Sequence, residues 1–189
     1  MYEIKTFIIP SLHGISQINI EEHLNLYKGY VTNTNKILEM IEKDSLDPYA
    51  EAEVHRRLAF EFNGMKNHEY YFAQLEGGAQ TLDTESPLAQ KITERWGSIG
   101  QWIAAFKKLA KTRGVGWAIL GYDIKSDCLV NYWVDEQHLG HLNSIKFIFG
   151  IDMWEHSFVA DYQPSGKSQY VDDYIAQINW NVVSGRFEK

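Results

Sequence analysis

Along the first half of the chain, apolar and polar positions alternate with a helical period. Across residues 20–43, Tyr27, Tyr30, Val31, Ile37, Leu38 and Ile41 recur at helical spacing, which predicts one long helix. The run Asp44-Ser45-Leu46-Asp47-Pro48 breaks it. A second helix is predicted over residues 48–75, with Asp47 as its N-cap, Pro48 in its first turn and Gly77-Gly78 as its stop. Its apolar stripe is Leu58, Met65, Phe72 and Leu75, and His68 falls on it. Two helices joined by so short a turn pack as an antiparallel hairpin.

The pattern changes after a linker at residues 77–87. Residues 88–96 look helical, and Ser98 to Gln101 has the spacing of a capping box for another helix. Residues 117–122 and 129–134 read as two strands joined by a polar turn, residues 145–151 as a third, and residues 170–183 as a closing helix. The expected class is α+β. An N-terminal helical-hairpin domain over residues 1–86 is followed by an α/β domain over residues 87–189, built on a three-stranded antiparallel sheet.

Composition narrows the function classes. The net charge of −7, with no long Lys or Arg run, disfavours a nucleic-acid partner. The apolar patch Phe7-Ile8-Ile9 is cut off by Pro10, too short for a secretory leader, and no stretch is long enough to cross a bilayer. The single cysteine, Cys128, has no partner for a disulfide or a thiolate metal site. These features point to the cytoplasm. Aromatic residues make up 14% of the chain, enough to fill a core and to wall a site.

Seven histidines carry the candidate chemistry. His68, on the apolar stripe, needs a partner for each ring nitrogen, which a metal and a hydrogen-bond acceptor behind it would supply; a buried histidine hydrogen-bonded to backbone is the plainer account from that helix alone. His23, Tyr27 and Tyr30 share a face of the first helix, so the hairpin can bring His23 to His68. Asp152 ends an apolar strand, and His156 follows four residues later, able to meet it at one metal if the chain turns helically. Three imidazoles and a carboxylate suit iron or manganese better than copper(I), magnesium or calcium. His138 and His141 have a zinc-like spacing without supporting cysteines or an HExxH pattern, His55 sits beside Arg56 and Arg57 as a surface residue, and His13 lies in an irregular segment.

Asp152-Met153-Trp154-Glu155-His156 resembles the Asp-x-Trp-Glu-His signature of the iron/manganese superoxide dismutases. Tyr30 to Asn35, Asn67-His68 with Tyr70, Tyr71 and Phe72, Gly114 to Trp117, and Asn179-Trp180 resemble further segments of that family in the same order. The resemblance implies dismutation of superoxide to dioxygen and hydrogen peroxide, by redox cycling of one iron or manganese ion per subunit. It makes His23, His68, Asp152 and His156 the ligands and Tyr30 the channel tyrosine, with Trp117 and Trp154 walling the pocket. Gln137 becomes the residue that hydrogen-bonds the solvent on the metal. Gly64 stands where some members carry that residue, and Gly64 with Gln137 tilts the expectation toward manganese. A homodimer is implied, with Glu155 at its interface. Lys28 is the candidate cation for drawing in the anionic substrate.

The chain also departs from the family. The interval from His23 to Tyr30 is one residue short, and counting back at the usual spacing lands on Glu22. Tyr27 stands where a second histidine is common at the subunit contact, Val159 replaces a tyrosine, and Lys167-Ser168-Gln169-Tyr170 replaces Arg-Pro-Asp-Tyr. The rival functions are an inactive binding or structural protein on the same fold and a non-haem iron oxygenase, which needs two histidines and one carboxylate.

Overall fold

The computed structural model describes residues 1–43 and 45–188, so of the breaker between the first two helices Asp44 lies outside the described residues. Helix α1 (Gln17–Lys43) and helix α2 (Pro48–Ala73) pack against each other along their length as the N-terminal hairpin. Asp47 caps α2 as expected, its carboxylate accepting from the N–H groups of Tyr49 and Ala50 at 3.0 and 3.1 Å. Helices α3 (Pro87–Trp96) and α4 (Ile99–Ala110) follow, each opened by a serine cap, Ser86 and Ser98.

Strands β1 (Gly116–Asp123), β2 (Cys128–Asp135) and β3 (Ile145–Asp152) form an antiparallel sheet in the order β2-β1-β3. Helix α4 packs on β1 and β2, and α2 packs on β3, so the central strand is buried from Gly116 to Gly121. That explains its near-continuous apolar run. The register pairs Trp117 with Val134 on one side and with Asp152 on the other. The fold is therefore a helical hairpin followed by an α/β region, and one contiguous core runs from Ile15 to Val183 through both.

The closing helix differs from the sequence expectation. It is two helices, α5 (Lys167–Ala176) and α6 (Trp180–Glu188). The break occurs because other segments take the backbone groups between them. Gln80 N–H donates to Ile178 O at 3.0 Å, and Asn179 N–H donates to Gln74 O at 2.8 Å. A helix continued through residues 177–179 would have to give up both bonds. Arg186 then fastens α6 to the hairpin, donating to Gln74 Oε1 at 3.0 Å, Ile148 O at 3.1 Å and Tyr70 O at 2.7 Å.

The N-terminal twelve residues have no regular structure and lie across the hairpin. Lys5 N–H donates to Tyr27 Oη at 3.0 Å, Ile8 N–H donates to Glu76 Oε1 at 2.9 Å, and the Phe7 ring packs on Tyr27 and Phe72. Among the described residues no helix is long and apolar enough to cross a membrane.

Gly116 sets the close approach of β1 to β2. It sits at φ +153, and a Cβ there would run into the carbonyl oxygen of Val134 and lie 3.1 Å from Asp135 Cα. Gly116→Ala is expected to destabilise the protein by about 1–3 kcal/mol, because backbone rather than a flexible side chain would have to move. Urea denaturation of the two proteins side by side checks this, and an unchanged midpoint would refute it.

Candidate metal centre

Each candidate ligand is delivered by a different element. On α1 the buried positions Ile20, His23, Tyr27, Val31 and Thr34 run along one face, and His23 has no exposed surface. Glu22 points to solvent. The shortened interval to Tyr30 therefore leaves the histidine, not the glutamate, facing inward. His68 projects from the buried face of α2. Asp152 is the last residue of β3 and is fully buried, while His156 lies in a single 3-10 turn at Glu155–Ser157, its side chain 22% exposed.

The four meet at one point. Asp152 Oδ2 lies 3.2 Å from His23 Nε2, 3.2 Å from His156 Nε2 and 3.5 Å from His68 Nε2. All four atoms lie within 4.8 Å of one another, and among the described residues they form the one His/Cys/Asp/Glu cluster of this kind. Asp152 is braced on both sides. Its Oδ1 accepts from Trp154 N–H at 2.8 Å, and its carbonyl oxygen accepts from Tyr170 Oη and Ser157 Oγ, both at 3.0 Å.

Hydrogen bonding assigns the tautomer of His68. Its Nδ1 lies 2.6 Å from Gly64 O, which can only accept, so Nδ1 carries the proton and Nε2 a lone pair. That lone pair faces the Asp152 carboxylate and has no hydrogen-bond partner. Two acceptors turned toward each other in a dry site are repulsive unless a cation lies between them. Neutral imidazoles and an ionised carboxylate are the forms a transition metal takes, and nitrogen with oxygen suits iron or manganese. The residues fit such an ion.

The electrostatics agree with the geometry. Burial, reinforced by the neighbouring His23, pushes the His68 pKa down to about 3. Burial also lowers that of His23, against the pull of Asp152. For Asp152 burial acts upward, but His156 and His23 beside it hold the carboxyl below its usual range.

A relay of polar side chains lies next to the cluster. Trp117 Nε1–H donates to Gln137 Oε1 at 2.8 Å, and Gln137 Nε2–H donates to Tyr30 Oη at 3.0 Å. The rings of Tyr30 and Trp117 lie 5.0 and 5.2 Å from that of His68. Gln137 is fully buried and held through its backbone carbonyl, which accepts from Asn67 Nδ2 at 3.2 Å. Gly64 has to be a glycine: a Cβ there would come within 2.5 Å of the Tyr30 ring. Tyr30 and His156 open onto a cleft of about 360 Å³, walled by Trp154, Phe60, Arg57 and Leu26.

The remaining histidines stay outside the cluster. His141 reaches Gln137 O at 3.3 Å, the His138 ring stands edge-on to Phe60, and His55 and His13 are surface groups near Glu51 and Asp173. Tyr27 corrects one expectation. It does not stand at a subunit contact but is buried inside the protomer, its hydroxyl between Lys5 N–H and Glu69. With one residue fewer before Tyr30, the helix turns that position inward, and Leu26, 43% exposed, lines the cleft instead. Lys28 is not part of the cleft lining, but its Nζ donates at 3.1 Å to Oδ1 of Asn25, which is. Sequence reasoning missed Ser157, Asn67 and Arg57. The adjacency of Asn67 to His68, the four-residue spacing of Arg57 and Glu61 and the place of Ser157 directly after His156 are local signals that could have flagged them.

Fold and site together define a protein whose two halves close around a cradle for a single transition-metal ion. The model of the C-terminal domain of iron/manganese superoxide dismutases matches residues 84–186. An iron superoxide dismutase of Aquifex pyrophilus is 34% identical over 188 residues, covering 95% of this chain and 87% of the relative. One from Tetrahymena pyriformis is 32% identical, covering 87% of each chain, and a manganese enzyme of Nocardia asteroides is 31% identical, covering 94% and 86%. The chain belongs to the iron/manganese superoxide dismutase family.

The lowered pKa values have a consequence for the metal-free protein. Unfolded, His68 takes up a proton near its ordinary value of 6.5; folded, it resists until about pH 3. Its contribution to stability is therefore fully present above about pH 6.5 and is lost progressively as the pH falls toward about 3. His23 and Asp152, both lowered, act in the same sense. The urea midpoint of metal-free protein is expected to fall across that window. A midpoint that held or rose in acid would contradict a neutral His68.

Proposed function

We propose that this chain converts two superoxide anions and two protons into dioxygen and hydrogen peroxide, with one iron or manganese ion held by His23, His68, Asp152 and His156. The observation that carries this reading is the unpartnered His68 Nε2 lone pair, aimed at Asp152 Oδ2 with two further imidazole nitrogens around that oxygen. The metal, when bound, supplies a centre that takes an electron from one superoxide and passes it to the next. The third imidazole argues against an oxygenase built on two histidines and a carboxylate.

The chain's own residues manage access and protons. Tyr30 accepts from Gln137 Nε2 at its hydroxyl oxygen, which leaves its own O–H free to donate. Burial, with Asp152 and Glu61 nearby, raises the pKa of Tyr30, so it stays a phenol at neutral pH. Trp117 holds Gln137 by its oxygen, which orients the amide so that its N–H groups face Tyr30 and the site. Trp154, stacked on His156 at 5.8 Å between centroids and tied to Glu136 O, closes one wall of the cleft. A Cβ at position 64 would meet the Tyr30 ring, which leaves Gln137 as the amide beside Tyr30, the pattern that the family resemblance links to manganese.

A homodimer through the face that carries Glu155 belongs to the same proposal. Helix α1 packs against the turn at Glu155–Ser157, and Leu26 and Val159, on these neighbouring elements, are 43% and 38% exposed. The division into domains at residues 86 and 87 and a cytoplasmic location complete it, supported by the switch from helices to an α/β pattern and by the lone cysteine.

Metal analysis alongside a superoxide-consumption assay tests the function. Asp152→Ala is expected to lose the metal outright, while Gln137→Ala keeps it and turns over about 10–100-fold more slowly, because Gln137 contributes no metal bond. His138→Ala should match wild type. Full turnover in Gln137→Ala with a large loss in His138→Ala would move the role to His138. Sedimentation at concentrations on the order of micromolar should give twice the chain mass, and a monomer would refute the dimer.

A further inference from the structure

Superoxide is an anion, and this protein carries a net charge of −7. At long range the molecule repels its substrate, so attraction has to come from charges within a Debye length of the cleft, about 8–10 Å in ordinary salt. The cleft itself contains a buried carboxylate, Glu61, which is 4% exposed. Left alone, that group would make the entrance hostile to an anion.

The structure neutralises Glu61 and turns its partner outward. Arg57, Phe60 and Glu61 occupy one face of α2 at the three- and four-residue spacing that lets side chains meet. Arg57 Nε donates to Glu61 Oε1 at 2.9 Å, and Asn33 Nδ2 donates to Glu61 Oε2 at 3.3 Å, so both carboxylate oxygens are engaged. The guanidinium carbon of Arg57 lies 3.8 Å over the centre of the Phe60 ring. One nitrogen and one face of the guanidinium are thereby held. Its two terminal nitrogens make no hydrogen bond or ion pair among the described residues, and the side chain is 55% exposed. The charge is permanent across the working pH range. The pair carries no net charge, yet it is a fixed dipole with its negative end inside and its positive end in the cleft.

We propose that Arg57 is the anion-capture residue of this cleft, presenting its terminal guanidinium N–H groups to superoxide before it reaches Tyr30 and His156. The proposal rests on the superoxide dismutase reading, and it adds to Lys28, whose ammonium sits at the rim on Asn25, a cation in the lining itself. Lys28 Nζ, on Asn25 Oδ1, adds positive charge within a Debye length, but Arg57 is the one Lys or Arg in the lining. Arg56 is paired with Glu53 at 3.4 Å on the exposed side of the helix. The two carboxylates closest in sequence to the site wall, Glu136 and Glu155, would repel.

The test compares wild type with Arg57→Gln, Arg57→Lys and the double variant Arg57→Gln/Glu61→Gln. In metal-loaded protein, kcat/KM for superoxide at low ionic strength should drop about three- to tenfold in Arg57→Gln, recover in Arg57→Lys, and converge with wild type as salt is added. The double variant separates capture from the simple unmasking of Glu61. It restores a neutral pair without the outward cation, so it should stay slower than wild type. A double variant as fast as wild type would overturn the proposal.

A second readout needs no metal. Trp154 lines the same cleft, so quenching of its fluorescence by iodide, corrected with Trp154→Phe versions of each protein, reports the local anion concentration. Iodide quenching should weaken in Arg57→Gln and in the double variant, while quenching by neutral acrylamide stays the same. Equal iodide quenching in all four proteins would overturn the capture role even if the enzyme is active. Absence of superoxide consumption by metal-loaded wild type would instead sink the activity, and the iodide measurement would still decide the fate of Arg57.

Discussion

Asp152 has no exposed surface, and one of its oxygens faces three imidazole nitrogens within 3.5 Å. Taking a carboxylate out of water costs several kcal/mol unless donors or cations meet it. Here Trp154 N–H reaches one oxygen and the Nε2 atoms of His23 and His156 the other at 3.2 Å, but His68 turns a bare lone pair toward that same oxygen. The centre of the molecule is therefore incomplete without a positive charge, and the surrounding architecture serves to hold that incompleteness in place. α1 supplies one imidazole, α2 a second, the end of β3 the carboxylate and the following turn the third. No one of these elements could make the site, which is why the hairpin and the sheet share a single core.

Much of the packing behind the cluster can be traced to that demand. Pairing Trp117 with Asp152 across β1 and β3 puts the indole beside His68, and its N–H holds Gln137. Behind Asp152, Tyr170 anchors the backbone carbonyl, and Tyr71 and Tyr174 stack at 4.7 Å beside it. Gln74 ties Tyr174 to α2 at 2.7 Å and accepts from Arg186 of the last helix. Buried polar groups arranged this way rigidify a site because each is costly to leave unpaired. The break between α5 and α6 belongs to the same scheme, since it lets Asn179 bond Gln74 O and brings Arg186 within reach of Gln74, Ile148 and Tyr70.

The open side of the cluster follows different physics. Tyr30, Trp154 and Phe60 line a cleft of about 360 Å³, in which the buried Glu61 carboxylate is balanced by the half-exposed Arg57 on α2. A small reactive anion needs little shape recognition. Aromatic walls, a cation in the lining and groups able to hold a proton are what such a substrate asks for, and Trp154 with Phe60, Arg57, and Tyr30 with Gln137 are the residues of those kinds here.

Read alone, the sequence determined the class of fold, the element order, the caps at Asp47 and Ser98 and the strand positions to within a few residues. These depend on local period and on cap chemistry, which lie within a few positions of each other along the chain. It also singled out the four residues that meet, through the resemblance of the Asp152 to His156 and Asn67-His68 segments to the family's motifs, since position and period alone left each histidine with a plainer account. Only the tertiary structure decided which way α1 is turned. One residue fewer before Tyr30 swings the helix by about 100° per position, and packing against α2 placed His23 and Tyr27 inside and Glu22 outside. The same is true of the split closing helix, of what faces the His68 ring and of the place of Arg57 in the cleft lining. The split helix rests on the distant contact of Gln74 with Asn179, and Glu61 is held in part by Asn33, 28 positions away, whereas the His68 tautomer is set within α2 by Gly64 O and matters because the distant Asp152 faces the other ring nitrogen. No local pattern encodes the distant contacts, because they exist only once the elements have closed on each other.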